Sequence, residues 1–454
     1  MALAQWMHDG EAPFDLWDVD IRRAQRFQRN RTYLRHRVTE TLGLLYADHY
    51  PYRQPATARG VRRSALHEHL KARGAVFGET AGWERANWFA EPGQEAAYHY
   101  GWQRPNWFAN QRAEHLALRT GVGLLDMSSF GKIRVRGADA LALLQRLCAN
   151  QIDVATTRIV YTQMLNYRGG IEADLTVTRL AEADFIAVVP GATLRRDLVW
   201  LRRHAGDARV TIDNVTPSMA VLPLIGPKAR EVLARCSPDD FSDAAHSFGT
   251  AREVEIGMGF ARAHRVTYVG ELGWELYVET DHAAHVFETL LEAGADSGLR
   301  LCGLHAMDSC RIEKAYRHFG HDITDEDHVL EAGLGFAVKT DKGDFIGRDA
   351  VLRKREQGLS SRLMQFRLTD PDPMLFHNEP ILRDGQIVGY LRSANYGNAV
   401  GGAVGLGYVP CRALGESTQD MLASRYTIDI AGWIVGAEAS LAPMYNPKSD
   451  RVRG

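Results

Sequence analysis

YTQMLNYRGGIEADLTVTRL, residues 161–180, is the stretch from which the architecture can be read. Gly169 and Gly170 make a tight turn into a strand, because residues without a Cβ enter positive φ at no steric cost. Beyond the turn, Leu175 and Val177 alternate with Thr176 and Thr178. That is the period-two pattern of a strand with one apolar face. Asp174 sits where this strand begins and falls on the threonine face.

Outward from this stretch, strands and helices alternate. KIRVRG (132–137) reads as a strand that turns into the helix ADALALLQRLCAN (138–150), and DFIAVVP (184–190) as a strand before the helix TLRRDLVWLRRHA (193–205). The scheme repeats over 225–300, with PKAREVLARC helical, RAHRVTYVG extended and AAHVFETLLEAGADSG helical. An amphipathic helix is expected over 301–316. The pattern is α+β, denser in helix than a sandwich. The last hundred residues differ: RLMQFRLTD, EPILRDGQIVGYLRSANYG, AVGLGYVP and SRYTIDIAGWIVGAEASL alternate around Gly and Asp turns. They predict short antiparallel strands in a small barrel or sandwich, with a boundary near 345–360. Upstream, MALAQWMHDGEAPFDL reads as a short helix broken at Asp9-Gly10, with Trp6, Phe14 and Trp17 as an apolar load seeking a partner surface. PYRQPATARG (51–60) reads as a linker. The loops GWERANWF (82–89) and GWQRPNWF (101–108) echo each other locally without marking a domain-sized repeat.

Composition bounds the function. The chain has 454 residues, 45% hydrophobic and 24% charged, with net charge −2. That is enough for two or three domains, without a global field for nucleic acid or an anionic membrane. The local exception, IRRAQRFQRNRTYLRHR (21–37), carries seven arginines. Ile21, Ala24, Phe27, Leu34 and Val38 stand at near-helical spacing there, which favours a solvated helix face over an RNA- or anion-binding helix. Five scattered cysteines without C-x-x-C point to a reducing compartment. With no apolar run near 20 residues and no cationic-then-apolar leader, the expectation is a cytoplasmic protein.

No G-x-G-x-x-G stands between a strand and a helix, so FAD is not expected on this chain. P-loop, H-E-x-x-H and G-x-S-x-G motifs are absent as well. Chemistry-bearing residues gather in four segments: GLLDMSSFGK (123–132), residues 161–180, YVGELGWELYV (268–278) and GLHAMDSCRIEKAYRHFGHDI (303–323). Asp174 is open to two readings, a carboxylate that orients or deprotonates an amine and a solvated strand start. Glu275, between Trp274 and Leu276, either lies on a wet strand face or is buried against a donor-rich partner such as an amino-substituted heterocycle. Asp308, Arg311, Lys314 and Arg317 run along one helical line. They either hold a ligand's carboxylates or form surface pairs, Asp308 with Arg311 and Glu313 with Arg317.

Taken together, YTQMLN, RGGIEADLTV, YVGELGWELY, DSCRIEK and LEAGLGFAVK resemble, in running order, the folate-binding aminomethyltransferase family of the glycine-cleavage T-protein. GWERANWF and WFAEPG are similar to the C-terminal part of dimethylglycine and sarcosine dehydrogenases. The resemblance covers almost the whole chain. It implies a three-domain ring around a folate channel with a C-terminal antiparallel β-barrel domain. Residues 1–60 would be the tail and connecting segment of a missing FAD oxidoreductase domain, 61–345 the folate-binding domain and 360–450 the barrel. It implies tetrahydrofolate as cofactor and capture of a methylene unit from N-methylamine oxidation as 5,10-methylenetetrahydrofolate. A T-protein-like aminomethyltransferase, a folate-dependent demethylase and a non-catalytic folate-binding subunit are the alternatives. Carried over by position, Asp174 is the catalytic carboxylate, Tyr268 and Glu275 hold the pterin, Arg311 contacts folate, and Phe319 and Phe130 line the pocket. Phe130 stands where T-proteins usually carry Met. A separate FAD-dependent dehydrogenase subunit is the implied partner.

Overall fold

The computed structural model describes residues 1–10, 12–47, 50 and 53–453; residues 51 and 52 of the expected linker and residue 11 of the opening stretch lie outside the described residues. The alternation at the centre of the chain forms as read. Ile171–Ala181 is a strand, and Ala173, Leu175 and Val177 are buried together with Ile133, Val135 and Phe185. It belongs to an antiparallel five-stranded sheet ordered Ile159–Leu165, Ile171–Ala181, Asp184–Val189, Gly131–Arg136, Thr211–Asn214. Helices Ala140–Leu147 and Leu194–Ala205 cover the apolar face through Leu143, Leu144, Leu198 and Leu201. The turn starts earlier than the glycines alone suggest. The Asn166 side-chain oxygen accepts the N–H groups of Arg168 and Gly170 (2.9 and 3.0 Å), and Gly169 takes φ 86°. Asp174 therefore lies three residues inside the strand rather than at its start.

A second sheet runs Ala251–Ile256, Gly259–His264, Gly273–Glu279, Met219–Ile225, Gly123–Leu124, Arg300–Leu301. Its outer face buries Leu222, Leu224, Trp274, Leu276 and Val278 against helices Ala229–Cys236 and Ala283–Gly294. The inner faces of the two sheets share one core, in which Val188 of the first meets Val221 and Tyr277 of the second. The last part of the chain closes into a six-stranded barrel ordered Ser361–Leu368, Gly402–Pro410, Gln386–Gly397, Pro380–Arg383, Tyr426–Ile430, Trp433–Ser440, so the sandwich alternative falls. The fold is thus α+β with a C-terminal antiparallel barrel.

The helix expected over 301–316 is shorter, Leu304–Glu313, and is not amphipathic: all its residues except Asp308 are buried. Its polar groups are satisfied internally, which removes the need for a wet face. Ser309 donates to the Tyr396 carbonyl (2.6 Å) and Gln365 to that of Ile312 (2.6 Å), tying the helix to the barrel. Glu313 pairs with Arg119 (2.8 Å) rather than with Arg317, and Lys314 donates to the Asn446 carbonyl (2.7 Å). The surface-pair reading of this segment therefore fails: Asp308 and Arg311 do pair, at 2.7 Å, but the arginine is buried.

At the N-terminal side, helix Ala2–Asp9 ends on Gly10 at φ 72°, as read. The arginine-rich run departs from expectation. Two short 3₁₀ turns, Ile21–Arg23 and Arg26–Arg29, precede helix Arg31–Gly43, which starts where Asn30 accepts the N–H groups of Thr32 and Tyr33. Ile21, Leu34 and Val38 are exposed rather than packed. Neither helix of this segment buries a residue, and a few polar links hold it to the body, among them Arg196 to Asp15 (3.0 Å) and Arg37 to Glu79 (2.8 Å). Trypsin is accordingly expected to cut within residues 23–35 well before it cuts the two sheets, as read by mass spectrometry of early fragments. A segment as resistant as the sheets would mean that those polar links suffice. Among the described residues, no helix is long and apolar enough to cross a membrane.

Candidate functional site

Asp174 and Glu275 project from the two facing sheets. Asp174 shares its strand face with Thr176, which pairs with Val188 of the common inner core. Glu275 shares its face with Tyr277, a member of that same core. Both carboxylates are half-buried on inward faces, which puts them between the sheets rather than on the outer surface. Neither the wet-face reading of Glu275 nor the strand-start reading of Asp174 survives this placement.

Asp174 is flanked by neutral donors. Gln163 lies opposite it in the register and donates to Oδ1 at 2.8 Å. Burial pushes the Asp174 carboxyl up to about 6, against the hydrogen bonds from Gln163 and Tyr161 and the charge of Arg317. Burial, joined by the Asp174 charge, drives the Tyr161 phenol far up, so it remains a donor. Gln163 Oε1 is buried and accepts from no described residue. A carboxylate titrating near 6 and held by groups that stay neutral is suited to accept a proton at physiological pH.

Tyr268 lies on the loop leading into the Gly273–Glu279 strand, where its hydroxyl donates to the Arg317 carbonyl (2.8 Å) and its ring lies 6.1 Å from Tyr316 at 22°. It is within electrostatic reach of Asp174. Phe130 and Tyr268 both pack against the same inner core. Glu275 accepts the Tyr277 hydroxyl at 2.8 Å, and burial raises its carboxyl above the ordinary range. The His264 ring lies 4.2 Å from Tyr277 and is held neutral by burial, its pKa near 3, with Nε2 buried and unpartnered. Asp174, Tyr161 and Tyr268 form one group, and Glu275, Tyr277 and His264 another.

Two of the expected residues are more deeply enclosed, although Arg311 acts electrostatically on Tyr268. Arg311 is buried, with Nε on Asp308 Oδ1 (2.7 Å) and Nη1 on Asp322 Oδ2 (2.5 Å) and the Tyr316 carbonyl (3.2 Å). Only Nη2 donates to no described residue. Phe319 is buried with Ile323, Leu165 and Val329, and Tyr161 packs on that cluster, so Phe319 reaches the site only through Tyr161. Tyr161, Gln163, Tyr277 and His264 were not anticipated. Tyr161, Gln163 and Tyr277 stand at or within one step of period two from the expected carboxylates once the registers are known. A cleft of about 290 Å³ between Pro13, Phe14, Arg168 and the 325–328 turn includes neither carboxylate.

Comparison with known proteins adds independent findings. The profile of the GCVT N-terminal domain matches residues 66–342, the glycine cleavage T-protein C-terminal barrel domain residues 362–446, and the FAD dependent oxidoreductase central domain residues 9–64. The chain is 43% identical over 453 residues to the 4-methylaminobutanoate oxidase (formaldehyde-forming) of Paenarthrobacter nicotinovorans, covering 100% of this chain and 54% of that protein. It is 32% identical to the mitochondrial sarcosine dehydrogenase of Homo sapiens, again over 100% of this chain and 54% of the relative. The chain thus spans about half the length of these relatives. In fold it matches the glycine cleavage system aminomethyltransferase T of Bartonella henselae, with TM-score 0.72 and 24% identity over 86% of this chain and 99% of the other.

Proposed function

Since the chain belongs to the glycine-cleavage T-protein family, we propose that it transfers a one-carbon unit to tetrahydrofolate, capturing the methylene group released by oxidation of an N-methylated amine. The observation that carries this reading is Asp174, a carboxylate raised to about 6 by burial and hydrogen-bonded by the neutral Gln163 and Tyr161, on a sheet facing the one that bears Glu275. The donor set fits a reduced pterin. Glu275 has acceptor capacity beyond its Tyr277 bond for ring N–H and amino donors, and Tyr268, Phe130 and Tyr277 offer flat apolar surface.

Tetrahydrofolate supplies the nucleophilic ring and aryl amines. The protein's part is to hold and deprotonate. Glu275 anchors the heterocycle, and enclosure between the sheets excludes water and gives proximity. Asp174 accepts an amine proton at Oδ and returns it to the departing amine or water. The two N–H protons lost as the carbon bridges the two nitrogens balance those gained by the leaving group. Two predictions arise here. Glu275→Gln replaces a charged acceptor with a mixed donor–acceptor amide, and should weaken reduced-folate binding by roughly 1–3 kcal/mol in calorimetric titration; equal affinities would sink the anchoring role. The transfer rate should rise with pH through about 6 as Asp174 ionises and level off above it. A profile flat from pH 5 to 8 would exclude a titrating base there.

The oxidation itself we assign to a flavin-containing oxidoreductase domain, whether joined to this chain or separate. The support is the central-domain match at 9–64 and the exposed Ile21, Val38, Leu42 and Leu45 on that segment, which would serve as the covered surface.

A further inference from the structure

GWERANWF packs into the core through Ala86, Trp88 and Phe89, but Arg85 within it is anomalous. The arginine lies in strand Trp83–Phe89, opposite Gly78 of the hairpin. Its Nε is buried without a partner, and the guanidinium makes no hydrogen bond or ion pair with any described residue. The fully buried arginines are each ion-paired, Arg119 by Glu313 and Glu271, Arg196 by Asp15 and Glu172, Arg265 by Asp243, Arg311 by Asp308 and Asp322, and Arg383 by Glu416. Arg62, half-buried like Arg85 and without an acid, is hydrogen-bonded to Gln25 and the Ala81 carbonyl. Burial lowers the Arg85 pKa only to about 10, so the charge persists at neutral pH. Arg85 as a whole is half-buried, so its guanidinium is an uncompensated, largely desolvated charge that calls for an anion.

Among the described residues, the surroundings supply none. Asn87 donates to the Tyr98 hydroxyl (2.8 Å), which meets His305 Nε2 at 3.1 Å. Burial holds His305 near 4 and His318 far below its usual range, with Arg85 adding to both effects, so these rings are neutral hydrogen-bonding groups. Asp308, which faces His305, is already engaged by Arg311 and by Asn395 (2.7 Å). Glu79, across the hairpin, is engaged by Arg37.

We propose that Arg85, with Tyr98, His305 and His318 around it, is the charged centre of a subsite for an organic carboxylate. Two sources share this chemistry: the carboxylate of an N-methylamino acid donor and the glutamyl tail of the folate. Only the second rests on the folate reading above. A guanidinium–carboxylate contact gives charge-assisted, bidentate recognition, and its loss lowers affinity by about 10-fold or more.

The test is calorimetric titration of the full chain and of Arg85→Met with four probes. These are 4-methylaminobutanoate and N-methylbutylamine, then tetrahydrofolate and 6-methyltetrahydropterin, which lacks the tail. The expected result is that Arg85→Met loses about 10-fold or more in affinity for one carboxylate-bearing probe and keeps its affinity for the truncated partner. Loss in the first pair identifies the amine as source, and loss in the second the glutamyl tail. The melting temperature of Arg85→Met should equal or exceed that of the parent, because an unpaired buried charge is removed. If the parent does not distinguish either carboxylate from its truncated partner, the proposal falls. It also falls if Arg85→Met binds all four like the parent, or melts lower with uniform loss of all four. Should the parent bind neither pterin while the amine pair still depends on Arg85, the folate reading fails and this one stands.

Discussion

Replacing Asp174 by Asn is expected to cut one-carbon transfer to tetrahydrofolate by about 10²–10⁴-fold while changing the folate dissociation constant by no more than about threefold. The amide keeps the size of the side chain and can still accept from Gln163 and Tyr161, so the strand pairing and the shape of the site persist. What it loses is the capacity to take up a proton and to stabilise positive charge growing on the attacking nitrogen. Binding draws on Glu275, Tyr268 and the enclosing core instead. The same substitution carries a stability signature. Burial is the first cause of the raised Asp174 pKa, so the folded state binds more protons than the unfolded one between about 4 and 6. The contribution of this group to stability is present at low pH and declines as pH rises through about 6. Asp174→Asn should therefore unfold at a higher temperature than the parent at pH 7, with the gap shrinking toward pH 4. Lower rate with higher stability is the pattern of a group retained for chemistry. If rate and affinity fell together, Asp174 would be an anchor, and wild-type transfer would remove it from the mechanism.

Much of this site was legible in the sequence because it lies on strands, where period two assigns faces without any knowledge of tertiary contacts. Leu175 and Val177 fixed the buried side of their strand and so put Asp174 on the other; Trp274 and Leu276 did the same for Glu275. The unread part was register. Nothing local says that Gln163 stands opposite Asp174, or that His264 stands opposite Glu275, since those pairings are set by the Asn166 turn and by an eight-residue loop. Helix Leu304–Glu313 misled for a different reason. Its polar residues imitate a wet face, but each finds a partner on another element: His115 for Ser309, Arg119 for Glu313, Asp322 for Arg311. Periodicity cannot separate a solvated polar stripe from a buried, fully paired one. The exposed Ile21 and Leu34 misled in the opposite sense, apolar spacing without a surface in this chain to receive it.

Arg311 is where resemblance and geometry make different demands, and Arg311→Met separates them. Its Nε and Nη1 are committed to Asp308 and to Asp322, which is fully buried and also accepts the Ser393 hydroxyl and the His318 N–H. Removing the guanidinium strands buried negative charge, a loss of about 3–5 kcal/mol for a broken interior pair. Chemical denaturation at pH 7 should show that fall. Arg311 is also what holds the Asp308 carboxyl below its ordinary value, against burial, which acts first and upward. In the parent, Asp308 thus adds stability that is present above its unfolded pKa and lost as pH falls. In the variant, burial is opposed mainly by Asn395, the sign reverses, and the deficit should narrow between pH 7 and pH 5. Adding Asp322→Asn should recover part of the lost stability by removing one of the two stranded charges. That double variant isolates whatever Nη2 contributes to the ligand. If its stability returns and folate affinity returns with it, Arg311 acts by holding the 316–322 segment, including Tyr316 beside Tyr268, in place. If stability returns and affinity does not, Nη2 is a direct folate contact, and the strut account of Arg311 is insufficient.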